Sequence, residues 1–210
     1  THWMGGMGVL VFLMAVVPLA GHRSMHLMRA ESPGPTVGKL VPRIKSSAGI
    51  LYGIYCVMTL LQFILLLAGG MPLFDSITTA FATAGTGGFS VRNAGILAYQ
   101  SVYAEVVITV FALLFGVNFN LYYLVLLKKP LEALKSEELR WYLGIFLGAT
   151  AAIALNILHL SQNAGDAILK AAFQSASLMS TTGFANADFA LWPSFSHAVL
   201  TLLMIVGACA

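Results

Sequence analysis

The sequence has little charge and almost no cysteine. Only 9% of its 210 residues are charged, whereas an average soluble protein has about 25%. Combined with a hydrophobic content of 59%, this excludes intrinsic disorder and argues strongly against a water-soluble globule. Two cysteines, Cys56 and Cys209, are too few for a disulfide framework or a zinc cluster. A net charge of +3 gives no argument for a nucleic acid partner.

No nucleophile motif of the GxSxG type surrounds any serine, which argues against an intramembrane hydrolase. We expect a protein that is not an enzyme and has no cofactor. What it does contain is long charge-free runs. A helix needs about 20 apolar residues to cross roughly 30 Å of hydrocarbon, and the runs that approach or exceed this length predict an all-α, multi-pass membrane protein. The five runs are Trp3–Ala20, Ser46–Phe74, Val106–Leu127, Trp141–Gln162 and Phe189–Ala210.

The basic residues predict an orientation. Nine of the eleven Lys and Arg residues lie in segments 21–45 and 128–140, and loops rich in Lys and Arg remain in the cytoplasm. We therefore expect both segments to be cytoplasmic and the other connections to lie on the opposite side. The first and last runs reach the ends of the chain, so we expect a piece of a longer membrane protein.

The connections between runs two and three and between runs four and five repeat one pattern. In each, a short helix-like segment, Asp75–Ala84 or Ala167–Met179, leads into a Gly/Thr cluster, GTGGF at 85–89 or STTGF at 180–184. The Gly-Phe pairs are 95 residues apart, which is typical of a repeat architecture. We expect residues 1–45 to close one unit, 46–140 to form a complete unit and 141–210 to form an incomplete one.

Non-helical backbone at membrane depth is tolerated only inside protein or beside water, so both clusters are expected to line an aqueous path. A helix that ends there directs the negative end of its dipole at the path and favours a cation. Glycine permits the dihedral angles that turn successive carbonyls toward an axis. Thr86, Thr181 and Thr182 are expected to add hydroxyl oxygens.

Other polar residues leave alternatives open. Asn118 and Asn120 lie inside run three, where they either join helices by hydrogen bonds or line a cavity. Asp75 and Asp188 flank the clusters and Glu105 begins run three. These carboxylates either concentrate cations at the mouth of the path or are ordinary surface groups near helix ends.

Several stretches together resemble the Trk/Ktr/HKT superfamily of potassium transporters, and within it the TrkH-type membrane subunits of bacteria. They occur in the family's order: THWMGGMGVLVF (1–12), TAFATAGTGGFS (79–90), GVNFNLYY (116–123), STTGFANADFALWP (180–193) and VGACA (206–210).

The resemblance implies four helix, pore-loop, helix units in a pseudo-fourfold arrangement, incomplete in this chain. It implies potassium uptake across the plasma membrane, the inner membrane of a bacterium, through a carbonyl-lined selectivity filter. The implied partners are the remaining pore units of a full-length chain, a second copy in a homodimer and a cytosolic nucleotide-binding regulatory subunit. Potassium, the implied substrate, is bound only at the filter residues, namely Thr86, Gly87, Gly88, Thr181, Thr182 and Gly183.

Three alternatives remain open at this point. A sodium-permeable relative has the same architecture, and the first and fourth loops that bear on selectivity are not in the sequence. A secondary transporter for another solute would direct half-helix N-termini at its substrate. An assembly module without transport of its own is the third alternative, because two filter loops cannot encircle an ion.

Overall fold

The computed structural model describes residues 2–6, 44–126 and 130–208, and among these residues it contains helices and no strand. The predicted all-α fold class is confirmed. The described helices are α1 (His2–Gly5), α2 (Ile44–Ala68), α3 (Leu73–Ala84), α4 (Val102–Phe115), α5 (Phe119–Leu126), α6 (Pro130–Leu134), α7 (Glu137–Ile157), α8 (Ala164–Met179) and α9 (Ser194–Ala208). Short 3₁₀ helices cover Gly95–Tyr99, Leu158–Leu160 and Phe189–Leu191.

The helices form two similar series. In the first repeat, defined here as 44–126, the long α2 is followed by the short α3, a non-helical loop and α4. In the second repeat, defined as 137–208, α7, α8, another loop and α9 follow in the same order. The short helices end at Ala84 and Met179, the two residues at which the sequence predicted their ends.

Among the described residues, two helical segments are long and apolar enough to cross a membrane, Gly49–Ala68 and Glu137–Leu160, and two shorter apolar helices cover Val102–Phe115 and Ser194–Gly207. The predicted run Trp3–Ala20 lies outside the described residues except for its first four positions. We use the term first loop for residues 85–89 and second loop for 180–184.

The predicted run Ser46–Phe74 is not one helix. α2 ends at Ala68, where the amide of Gly70 donates to the carbonyl of Leu67 and that of Met71 to Leu66. Gly70 has a φ of +84°, and a left-handed glycine is the usual residue for this helix ending. Pro72 then precedes the first residue of α3.

The predicted run Val106–Leu127 is also wrong as a single helix, because the backbone leaves the helical path between Phe115 and Phe119. Two tyrosine hydroxyls donate to carbonyls in the last turn of α4, and one of these carbonyls, that of Leu114, also accepts from the Val117 amide at 3.3 Å. Tyr122 donates to Leu114 O at 2.6 Å and Tyr142 donates to Leu113 O at 3.1 Å.

The last two runs have different boundaries from those predicted. α7 begins at Glu137 rather than Trp141, because a helix tolerates charges near its ends that a search for charge-free segments excludes. α9 begins at Ser194 rather than Phe189. Pro193 comes directly before it, and proline is common at the starts of helices.

The two repeats share a core. Tyr55, Ile108 and Phe111 of the first repeat are buried in one cluster with Phe173 and Phe184 of the second. α8 packs against α4 as well as against α7 and α9. The second repeat is therefore held against α4 of the first, which places the two loops side by side.

The N-terminal segment packs against the first repeat. The Trp3 ring lies 5.5 Å from the Tyr55 ring and 5.1 Å from that of Phe81, centroid to centroid. Its indole nitrogen donates to Thr59 Oγ1 at 3.2 Å, and Tyr55 donates to the Trp3 carbonyl at 3.1 Å. These contacts fix His2 beside the first loop.

Candidate functional site

The short helices α3 and α8 end with the same hydrogen-bond pattern. In α3 the amide of Thr86 donates to Thr83 O at 3.1 Å, and that of Gly87 to Ala82 O at 2.7 Å. In α8 the corresponding bonds measure 3.1 and 2.8 Å, and they run from Thr181 to Leu178 and from Thr182 to Ser177. Each donor and acceptor in α8 lies 95 positions after its counterpart in α3, so the sequence repeat is also a repeat in backbone structure.

The two loops also share a pattern of backbone angles. Thr86 and Gly88 have φ values of +50° and +61°, and Thr181 and Gly183 have +57° and +82°. A β-branched residue with positive φ is uncommon, since the left-handed region costs about 1–2 kcal/mol for residues with a Cβ. When residues with positive φ alternate with residues with negative φ, consecutive carbonyl groups point to the same side of the chain. In an extended strand, consecutive carbonyl groups point to opposite sides.

The loops touch each other through backbone. A Cβ on Gly88 would collide with the carbonyl oxygen of Thr182 and lie 2.9 Å from the carbonyl carbon of Gly183. The first loop also touches the N-terminal segment, because a Cβ on Gly85 would lie 2.6 Å from the His2 carbonyl carbon. Glycine is therefore required at both positions for close approach of three chain segments.

The central carbonyl groups of the two loops form no hydrogen bonds within the described part of the chain. None of those at positions 86–88 and 181–183 accepts a hydrogen bond from the residues that the structure describes. Five of the six residues are exposed or partly exposed, and Thr182 is buried; an exposed carbonyl oxygen is able to accept a hydrogen bond from water. The six groups belong to the predicted filter residues Thr86, Gly87, Gly88, Thr181, Thr182 and Gly183.

The threonine hydroxyls differ in their surroundings. Thr182 Oγ1 lies 2.7 Å from Ser180 Oγ in a buried hydrogen bond, whereas the side chain of Thr181 is exposed. The hydroxyl of Thr182 is thus already engaged within the protein. Carbonyl oxygens without a partner among the described residues occur in both loops.

Two buried polar side chains form hydrogen bonds next to the loops. Gln62 donates to Thr83 Oγ1 at 2.9 Å, and Ser177 donates to the Phe184 carbonyl at 2.7 Å. The sequence analysis missed both residues. Gln62 is the one amide side chain in the sequence of the candidate span Gly49–Ala68, and such residues are typical of functional or interhelical contacts, so this signal was present.

Asp75 is buried and engaged in a cluster, here called the Asp75 triad, with Arg92 and Tyr99. Its Oδ2 accepts from Arg92 Nε at 3.1 Å and from the Tyr99 hydroxyl at 2.8 Å. The hydrogen bond to Asp75 raises the pKa of Arg92, while burial and then the same carboxylate raise the pKa of Tyr99. Both partners therefore stay protonated at neutral pH, and the triad joins the start of α3 to the chain that follows the first loop.

The remaining candidate residues lie apart from these contacts. Asp188 is exposed and its Oδ1 accepts from the Ala190 amide at 3.1 Å, which caps a 3₁₀ helix. Asn118 donates to Glu138 Oε2 at 3.3 Å. Asn120 belongs to α5, but its side chain lies outside the described structure.

A family profile described as TrkH, cation transport protein, matches residues 1–210. The chain belongs to the TrkH family. Its predicted membership of this family is confirmed. The Trk system potassium uptake protein TrkH of Salmonella typhimurium is 34% identical over 100% of the chain. TrkG of Escherichia coli is 31% identical over 99%.

A crystal structure of the potassium transporter TrkH from Vibrio parahaemolyticus has the same fold as this chain. It superposes with a TM-score of 0.78 over 96% of the chain, at 29% sequence identity. The chain spans 44% of the length of the two curated relatives and 41% of the crystallised chain.

Proposed function

We propose that the chain supplies two loops of a carbonyl-lined selectivity filter in a protein that takes up potassium across the plasma membrane. The observation that carries this proposal is the pair of adjoining loops with the same backbone pattern, whose central carbonyl oxygens accept no hydrogen bond from the described residues. Carbonyl rings bind potassium because their oxygens replace its hydration shell. The relatives are named potassium uptake proteins, which agrees with this ion.

The electrostatics of the site favour a cation. α3 and α8 meet the loops with their C-terminal ends, which carry about half a negative elementary charge each. A membrane potential that is negative inside would add about 2.3 kcal/mol per charge and 100 mV to inward movement. Transport of this kind requires no covalent step, no cofactor and no enzymatic activity.

Two loops do not surround an ion, so the proposal includes further loops from the remaining pore units of a full-length chain. By resemblance to its family, the transporter is proposed to form a homodimer and to bind a cytosolic nucleotide-binding regulatory subunit. The basic segments 21–45 and 128–140 are proposed to face the cytoplasm, where such a subunit is found. Asn118 and Asn120 are proposed to lie near the ion path, and Asp188 to lie at its mouth.

A secondary transporter of an organic anion is the less well supported function. Such proteins direct half-helix N-termini at their substrate, whereas here the C-termini of α3 and α8 meet the loops. A sodium-permeable filter has the same geometry and is distinguished by the experiment below.

The test replaces Gly88 or Gly183 by Ser in the complete transporter that contains this chain. Potassium and sodium uptake are measured in cells that lack other potassium transporters. We expect both variants to lower potassium over sodium selectivity by about tenfold or more, equivalent to roughly 1.4 kcal/mol. Gly88→Ser is expected to be the more harmful, because its Cβ meets the Thr182 carbonyl while that of Gly183 meets no described atom within 4 Å.

Gly148→Ser is the matched control, since Gly148 lies in α7 and a Cβ added there would meet no described atom within 4 Å. It should leave selectivity unchanged. Unaltered selectivity in both loop variants, at normal abundance, would contradict the filter assignment. Equal uptake of both ions by the unsubstituted transporter would indicate the sodium-permeable alternative.

A further inference from the structure

Glu105 is the one charged residue in the sequence of α4. It is half-buried in the first turn of this helix, and a carboxylate in an apolar membrane helix generally has a specific partner. Its Oε2 accepts a hydrogen bond from Asn186 Nδ2 at 2.7 Å, across a separation of 81 residues. The contact joins the first repeat to the chain that leaves the second loop.

Asn186 lies three residues after Gly183 and its side chain is 2% exposed. Between them, Phe184 is buried in the shared core, and its carbonyl accepts from Ser177. The chain after the second loop is thus held on one side by its own short helix and on the other by Glu105. Asn186 Oδ1 is buried and has no partner among the described residues, so Glu105 makes the amide's one hydrogen bond there.

The first loop has no such contact at the equivalent position. Val91 lies 95 positions before Asn186, and it is 44% exposed. The chain after the first loop is held instead by the Asp75 triad, within one repeat. The contact between Glu105 and Asn186 is therefore particular to the second loop and links different repeats.

We propose that Glu105 is a positioning residue for ion selectivity, which acts through Asn186 to hold the second loop against the first. This inference rests on the proposed filter function. α4 follows the first loop in sequence and packs against α3, so a carboxylate on α4 fixes the second loop relative to the first repeat. Gly88 touches Thr182 and Gly183 directly, so a displacement of the second loop changes the spacing of the carbonyls at this contact.

The test uses the complete transporter with three changes: Glu105→Ala, Asn186→Asp, and Asn186→Asp combined with Glu105→Gln. Glu105→Ala removes the acceptor and is expected to lower potassium over sodium selectivity about tenfold, as for loss of a charge-assisted hydrogen bond. Asn186→Asp places two carboxylates in contact and should lower it at least as much. The double variant restores one hydrogen bond with donor and acceptor exchanged, and should recover most of the selectivity.

Glu137→Gln is the matched control, because Glu137 is an exposed acid at the start of α7. Membrane abundance is measured for every variant, so that selectivity is compared at equal amounts of protein. Recovery in the double variant supports a positioning role, since a general loss of folding would not be reversed by exchanging the two groups. If Glu105→Ala does not accumulate, the comparison of Asn186→Asp with the double variant decides the question.

Failure of the double variant to recover selectivity would overturn the inference, as would normal selectivity in Glu105→Ala. The glycine variants separate this failure from failure of the filter itself. If Gly88→Ser and Gly183→Ser alter selectivity while the Glu105 variants do not, the filter stands and the positioning role is rejected. If no variant alters selectivity, both proposals are rejected.

Discussion

At the residue scale, the two aspartates that flank the loops have different surroundings. Asp75 is buried and bonded to Arg92 and Tyr99, whereas Asp188 is exposed and caps a 3₁₀ helix. The sequence analysis made the same prediction for both, because each is an acidic residue close to one of the Gly/Thr clusters. Only the fold shows that the charge of Asp75 is balanced by Arg92.

We therefore predict that Asp75→Ala acts mainly on stability. It leaves the Tyr99 hydroxyl and the Arg92 guanidinium without their shared acceptor, and the melting temperature of the detergent-solubilised transporter should fall by roughly 3 °C or more. Asp188→Ala, the matched control, should lower it by less. A raised KM for potassium with an unchanged melting temperature in Asp75→Ala would instead show that Asp75 attracts cations at the mouth.

Residue chemistry also explains how much of the site was predictable. Gly88 and Gly183 stand out in sequence because both belong to Gly/Thr clusters with one spacing, and the structure gives both positive φ. Gln62, Ser177 and Asn186 do not stand out in this way. Their importance depends on hydrogen bonds to residues 21, 7 and 81 positions away, and single-sequence patterns carry no information on those pairings.

At the element scale, the break between α4 and α5 shows what hydropathy does not report. Residues 106–127 carry no charge and are mostly apolar, so their composition is that of one continuous span. The helix nevertheless ends at Phe115, beside a glycine whose added Cβ would collide with the Tyr142 hydroxyl. Hydropathy measures transfer into lipid, whereas the end of this helix is set by the close approach of Tyr142, a residue of α7.

The tyrosine hydroxyls are predicted to stabilise this break. Tyr122→Phe or Tyr142→Phe leaves the carbonyl of Leu114 or Leu113 without its tyrosine donor, at a cost of about 1 kcal/mol each. Faster amide hydrogen exchange across 113–118 and a lower melting temperature would be the measured signs. Tyr123→Phe, in the same short helix, is the control, and an equal effect of that change would refute a specific role for the two hydroxyls.

At the scale of the whole molecule, the two repeats are packed into each other. Phe173 and Phe184 of the second repeat lie in the same buried cluster as Tyr55 and Phe111 of the first. This shared core holds the loops in contact, so neither repeat defines the site alone. The proposed orientation in the membrane also belongs to this scale, because it depends on the positions of all basic segments together.

The orientation is tested by labelling single cysteines in intact cells, with Cys56 and Cys209 replaced by Ser. Lys135→Cys lies in a basic segment proposed to be cytoplasmic, and Gln162→Cys lies in the connection proposed to be outside; both positions are exposed. A membrane-impermeant maleimide should label Gln162→Cys in intact cells and Lys135→Cys only after lysis. Labelling in the reverse order would contradict the proposed orientation.

The sequence by itself determined the fold class, the family and the repeat of 95 residues, because composition, apolar run length and motif order are properties of the chain alone. It also located the ends of α3 and α8, since the helix and the Gly/Thr cluster that ends it are neighbours in sequence. Tertiary structure alone decided the break after Phe115, the partners of Asp75 and the contact between Glu105 and Asn186. Each of these depends on atoms brought together from distant parts of the chain, and such contacts form only when the shared core packs.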